Sequence, residues 1–187
     1  MKPITTFNQL TEHLTTLCKR KRVVAVCPND AHSEYAIKRA VEEGFASFLL
    51  LGDARLLHSY TELSIYSDNI EIIDIPDSDE AAREAVRLVR SGKADILMKG
   101  LINTDNLLRA ILDKEHGLLP AGKVLTHLAV MQIPTYHKLL FFSDAAVIPR
   151  PTLQQRIEMM SYAINTCHSF GIEQPRISLI HCTEKVS

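Results

Sequence analysis

Lys99 closes an apolar run, ADILM at 94–98, and is followed by Gly100 and then by Thr104 at the opening of a second apolar stretch. A lysine at a strand end, just before a helix begins, puts a point charge beside free backbone N–H groups. Gly100 permits either close backbone approach or a positive φ. Thr104 either caps the helix or gives its hydroxyl to an anion's oxygen. The K-G-x-x-x-T pattern therefore reads as a cradle for phosphate or carboxylate, or as a snorkelling lysine beside an ordinary cap. His127 stands in the apolar VLTHLAVM at 124–131, as a ligand or acid/base group or as a hydrogen-bonded core histidine. Ser143-Asp144 follows LLFF and either holds a substrate hydroxyl or amide or caps a turn. His137-Lys138, just before that run, is expected in solvent. No Ser/His/Asp triad, P-loop, GxGxxG fingerprint or metal-spaced cluster occurs, which argues against a nucleotide-binding dehydrogenase.

The elements that must position these residues alternate in kind. Short apolar runs at 22–27, 46–51, 70–75, 94–98, 124–131, 139–142 and 176–181 read as strands. Most are near-continuous rather than alternating, as strands covered on both faces are. Between them, 78–90 predicts a helix with Ser78 as cap, acids in its first turn, Arg87 and Arg90 in its last and Gly92 as stop. Residues 33–43 predict another, ending at Gly44. The longest is expected over 153–170, with Leu153, Ile157, Met160, Ile164 and Cys167 on its inner stripe. Thr152 and Gln155 make its capping box, and Gly171 terminates it.

This rhythm implies right-handed βαβ units and a mostly parallel α/β sheet flanked by helices. Ligands of such sheets bind beyond the carboxyl ends of the strands. There the sequence puts Pro28-Asn29-Asp30, Gly52-Asp53, Pro76-Asp77, Lys99-Gly100, Ser143-Asp144 and Thr183-Glu184. The glycine- and proline-bearing EHGLLPAGK at 115–123 divides a first lobe, 1–122, from a partial second lobe, 123–187.

The bulk composition narrows the function class. The chain has 187 residues, 46% hydrophobic and 23% charged, with 21 Lys+Arg against 22 Asp+Glu. Balanced charge with no basic block gives no footprint for nucleic acid or an anionic membrane, so an anionic ligand must be held locally. The amino terminus lacks the apolar core of a signal peptide, and no run approaches a membrane span. Cys18, Cys27, Cys167 and Cys182 are scattered without a CxxC pair, as in a reduced cytoplasmic protein.

Longer strings carry a family resemblance. ADILMKGLINTDNLLRAILDKEHGLL, VLTHLAVMQIPTYHKLLFFSDAA and GIEQPRISLIHCTEKV resemble the phosphate acetyl/butyryltransferase family, most closely its phosphate butyryltransferase branch. GFASFLLLGD and EAAREAVRLVRSGKADI fit as well, so the resemblance covers nearly the whole chain. It implies transfer of a short acyl group between coenzyme A and inorganic phosphate in the cytoplasm, as in fermentation. No metal or bound cofactor is implied; CoA is a substrate, alongside phosphate and a short-chain acyl phosphate, and a homo-oligomer is expected. The implied fold has two α/β lobes with the site in the cleft between them, similar to isocitrate- and isopropylmalate-type dehydrogenases. Lys99, Gly100 and Thr104 match the family's cleft-facing Lys-Gly and helix-opening Thr. His127, Ser143 and Asp144 match the second-lobe segment lining the same cleft.

Three departures stand out. Val147-Ile148 occupies positions where the branch has Met-Asn after Asp-Ala-Ala, and Tyr162 stands where an asparagine is expected. Family members are also long enough for two full domains, so this chain is expected to lack a C-terminal part, leaving the second lobe incomplete. The aspartate and arginine that would serve as base and phosphate clamp are expected beyond Ser187, and no catalytic base is assigned within residues 1–187. A non-catalytic CoA- or phosphometabolite-binding chain is the alternative.

Overall fold

The computed structural model describes residues 2–17, 19–59 and 65–180. The chain separates into two compact units, Thr11–Lys123, and Met1–Leu10 together with Val124–Ser187.

The Thr11–Lys123 unit is built on four parallel strands, β1 (Lys21–Val26), β2 (Ala46–Gly52), β3 (Ile70–Asp74) and β4 (Ile96–Lys99), in the order β3-β2-β1-β4. β1 pairs with β2 from Lys21↔Ala46 to Val26↔Leu51 and with β4 from Val23↔Ile96 to Val26↔Lys99. Having neighbours on both edges and helices on both faces, β1 is continuously apolar from Val23 to Val26 after an exposed Lys21-Arg22 start, and Val24, Ala25 and Val26 are fully buried. Its side chains divide by parity. Val23 and Ala25, with Phe48 and Leu50, pack against Ile37, Ala40 and Val41 of α2 (Ala31–Glu42) and Leu57 of α3 (Ala54–Leu57). Val24 and Val26, with Leu49 and Leu51, pack against α4 (Ser78–Arg90) and Leu107 of α5 (Thr104–Ile111).

The face that α4 presents to the sheet is largely alanine, Ala81, Ala82 and Ala85, with Val86 and Leu88 also buried. Val89 is only half-buried against this core. Small side chains let the helix lie close over β1, β2 and β4 as it carries the chain from one side of the sheet to the other. Two helices open one or more residues earlier than their patterns suggest, because aspartates cap them. Asp77, not Ser78, accepts the Glu80 N–H at 2.7 Å, and Asp30 accepts from His32 and Ser33 ahead of α2. Gly44 and Gly92 follow α2 and α4 with positive φ, as helix stops require.

In the other unit, β5 (Ala129–Met131) and β6 (Leu140–Phe142) form an antiparallel pair, and α6 (Leu153–Ser169) is the longest helix. Its capping box is present as expected: Thr152 Oγ1 accepts the Gln155 N–H and Gln155 Oε1 accepts the Thr152 N–H. The expected apolar stripe holds at Cys167 and is corrected at Leu153 and Ile157. Met159 and Cys167 are the buried residues of α6, while Leu153 is 75% and Ile157 43% exposed. The strand expected over 124–131 shrinks to its last three residues, because the segment before them is engaged by side chains instead of a neighbouring strand. Val124 N–H donates to Glu158 and His127 N–H to Asp144. Residues 176–180 form no strand, and His181 lies outside the described residues.

The amino terminus carries a helix that the strand-and-helix pattern passes over, α1 (Phe7–Thr16), none of whose residues is buried. Ile4 N–H donates to Phe170 O at 2.8 Å and Phe7 N–H to Gln132 Oε1 at 2.8 Å, tying residues 2–10 to the later segment. Among the described residues no helix is long and apolar enough to cross a membrane.

Candidate functional site

The strand order places a switch point at the carboxyl ends of β1 and β4. From β1 the chain proceeds through α2 to β2 on one side, whereas β4 lies on the other side and leads to α5 on the opposite face. Connections that diverge in this way leave a crevice, the usual ligand position in open α/β sheets.

Lys99 is the last residue of β4, in register with Val26, and Gly100 continues the pairing through its N–H to Val26 O at 2.9 Å. Leu101 N–H then donates to Cys27 O at 2.6 Å. A Cβ on Gly100 would lie 2.5 Å from Pro28 Cα and 2.6 Å from Cys27 C, and closer still to Cys27 O. Close backbone approach, not positive φ, is therefore what this glycine provides. Cys27 itself turns out of the strand with φ +48°, and Asn29 N–H closes back on its carbonyl at 2.8 Å.

The Lys99 side chain is exposed, and its Nζ reaches Gly100 O at 3.3 Å. Among the described residues it has no carboxylate partner, whereas Arg55, after β2, is held by Asp53 at 2.7 Å. Thr104 is exposed and opens α5, but Asn103 is the cap, its side chain accepting the Asp105 N–H at 2.9 Å. The capping alternative for Thr104 is thus corrected, and its hydroxyl remains available. The other aspartates at this edge are spent on backbone: Asp30, Asp53 and Asp77 cap helices, and Asp74 accepts the Ala54 N–H. Asn29 has a buried Oδ1 with no hydrogen-bond partner, the only such side-chain atom among the described residues.

A second cluster forms in the other unit around Asp144. Oδ2 accepts the Thr126 hydroxyl at 2.7 Å and the His127 N–H at 2.9 Å; Oδ1 accepts the Ala146 and Val147 N–H groups, each at 2.8 Å. Partial burial alone would push this carboxyl up. The donors on Val147, His127, Thr126 and Ala146 outweigh it and hold the group well below the ordinary carboxylate range. Asp144 is therefore an ionised acceptor with both oxygens occupied, a fastener between 126–127 and 144–147. Ser143 is exposed, its Oγ 3.1 Å from Thr126 Oγ1. His127 is exposed and so is not a core histidine, as are His137 and Lys138. Tyr162 donates to Glu158 at 2.9 Å, the same carboxylate that accepts Val124 N–H.

The structure thus gathers Lys99, Gly100 and Thr104 at one loop pair and His127, Ser143 and Asp144 at another. Thr126 escapes a sequence reading because it sits inside an apolar run; its signal is the nearby aspartate, which needs donors. Cys27 and Cys167 are free and buried, and desolvation raises both thiols, aided at Cys27 by the charge of Asp77. Cys18, Cys182 and Thr183-Glu184 lie outside the described residues.

Residues 77–187 match the family described as Phosphate acetyl/butaryl transferase. The phosphate butyryltransferase of Clostridium beijerinckii is 37% identical over 182 residues, covering 97% of this chain and 60% of that protein. That of Clostridium acetobutylicum is 34% identical, with 98% and 61% covered. The crystal structure of a branched-chain phosphotransacylase from Enterococcus faecalis superposes with a TM-score of 0.71 at 24% identity, over 89% of this chain and 58% of that one, which supports the fold. The chain spans about three-fifths of the length of the curated relatives it matches. With more than half of its length matched by the family and an α/β fold shared with a phosphotransacylase, the chain belongs to the phosphate acetyl/butyryltransferase family.

Proposed function

We propose that this chain carries phosphate- and coenzyme-binding residues of a phosphate acyltransferase that moves butyryl or a similar short acyl group between coenzyme A and inorganic phosphate. The reaction is acyl-CoA + phosphate = acyl phosphate + CoA. A phosphate oxygen attacks the thioester carbonyl, the new C–O bond replaces the C–S bond, and the departing thiolate takes a proton. Such chemistry needs cations and oriented donors for the phosphate oxygens and the developing oxyanion. It needs no prosthetic group.

The observation that carries this reading is the Lys99-Gly100 turn at the switch point: a lysine with no carboxylate partner among the described residues, a backbone pressed against β1, and a helix opening with the available hydroxyl of Thr104. Lys99 and Thr104 would hold phosphate or the CoA diphosphate. His127 and Ser143 would meet the other part of the substrates, with Asp144 fixing the loop that carries them. The dehydrogenase-like two-lobed arrangement with an interlobe cleft, the lobe boundary near residue 122, a homo-oligomeric state and a cytoplasmic location belong to the same proposal.

The test is to supply the chain with butyryl-CoA and phosphate, with acetyl-CoA in parallel, and to follow free CoA by chromatography. Phosphate-dependent release, faster from butyryl-CoA, is expected. Release that ignores phosphate overturns the reading, as does the absence of both release and CoA binding.

A further inference from the structure

The hydroxyls of Thr126 and Ser143 form a chain ending on Asp144, and that chain has a direction. Each hydroxyl owns one proton. Asp144 is ionised and can only accept, so the Thr126 proton is committed to Oδ2, 2.7 Å away. The 3.1 Å link between Thr126 Oγ1 and Ser143 Oγ then requires Ser143 to be the donor. With its own proton turned inward, the exposed Ser143 Oγ offers only lone pairs to whatever approaches it. Ionised phosphate oxygens are acceptors too and would meet this oxygen unfavourably. A thiol S–H or an amide N–H would be welcomed.

We propose that Ser143 Oγ is a fixed hydrogen-bond acceptor for the coenzyme, taking an N–H or S–H of its pantetheine arm, and that Thr126 is the positioning residue that sets this polarity. This rests on the acyltransferase reading and divides its labour: Lys99 faces anionic oxygen, and Ser143 faces the donor-bearing arm of CoA. The direction of the hydroxyl chain is what a mere surface serine would lack.

Calorimetric titration of the 187-residue chain with CoA, desulfo-CoA and inorganic phosphate tests it, with each variant's fold checked by circular dichroism. Ser143→Ala is expected to weaken CoA about three- to tenfold, the worth of one neutral hydrogen bond, and to leave phosphate unchanged. Thr126→Val, which frees the serine proton to rotate outward, should also weaken CoA, while Thr126→Ser keeps the chain and the affinity. An equal Ser143→Ala loss with desulfo-CoA identifies the amide as donor, and no loss with desulfo-CoA identifies the thiol. Unchanged CoA affinity in Ser143→Ala, or a loss of phosphate affinity instead, overturns the assignment alone. A wild-type chain that binds neither CoA nor phosphate overturns the acyltransferase reading and the assignment with it.

Discussion

Replacing Gly100 with alanine adds one methyl group where three backbone atoms already stand. The nearest neighbours of the new Cβ, Cys27 O, Pro28 Cα and Cys27 C, belong to the chain leaving the central strand, so no side chain can swing aside to make room. Forcing a methyl into such a site costs about 1–3 kcal/mol. Relief requires the 100–101 segment to move off β1, which breaks the Gly100–Val26 and Leu101–Cys27 hydrogen bonds, worth about 1 kcal/mol each. The sum, about 3–5 kcal/mol, is a large part of the ~5–15 kcal/mol that a domain possesses. With a urea m-value of about 2 kcal/mol/M the unfolding midpoint should fall by about 2 M. Gly44→Ala is the matched control: nothing lies within 4 Å of its Cβ, and only the φ of +82° resists, at about 1–2 kcal/mol. If Gly100→Ala is no more destabilising than Gly44→Ala, the close-approach argument for the switch-point turn is wrong.

Lys99→Ala should leave the urea midpoint unchanged, because the side chain is exposed, yet weaken phosphate or CoA binding about tenfold; calorimetric titration with unchanged affinity would remove Lys99 from the site. Asp144 has a depressed carboxyl pKa in the folded chain, so its stabilisation is complete above the unfolded value near 3.9 and drains away as pH falls below it. Urea midpoints measured from pH 7 to pH 3 should therefore drop more steeply in the wild type than in Asp144→Asn, and parallel curves would contradict the four-donor account. Cys27 and Cys167, buried with raised thiol pKa values, should stay unlabelled by a thiol reagent at neutral pH in the native protein, as peptide mass spectrometry would show; rapid labelling of either would place it at an accessible surface.

What the sequence made legible follows the density of buried neighbours. β1 and β2 are sealed on both faces, so their apolar runs announced them almost to the residue. α4 and α6 were fixed by local chemistry: acids and arginines at opposite ends in one, a reciprocal cap in the other. Where order depends on partners distant in sequence, the pattern misled. VLTHLAVM has the composition of a strand, but Glu158 and Asp144 take the backbone donors of Val124 and His127, leaving only three residues to pair. Leu153 and Ile157 recur with a helix's period yet face solvent, because periodicity describes a face without saying what covers it. At the site, the lysine and glycine stood out by type, whereas Thr126 gained its meaning only through geometry with Asp144.

The pairing of residues 2–10 with the segment after 123 has a bearing on synthesis. The Thr11–Lys123 unit is continuous in sequence and holds all four strands of its sheet, so it can fold as soon as it has emerged from the ribosome. Ile4 and Phe7 emerge before it, yet the acceptors of their N–H groups, Phe170 O and Gln132 Oε1, are made only after that whole unit. At about 5–20 residues per second, the stretch from Lys123 to Phe170 takes roughly 2–9 s to translate. Throughout that interval the Ile4 N–H must wait for its acceptor while the unit between them is already able to fold. A segment made before that unit finds its place only after it.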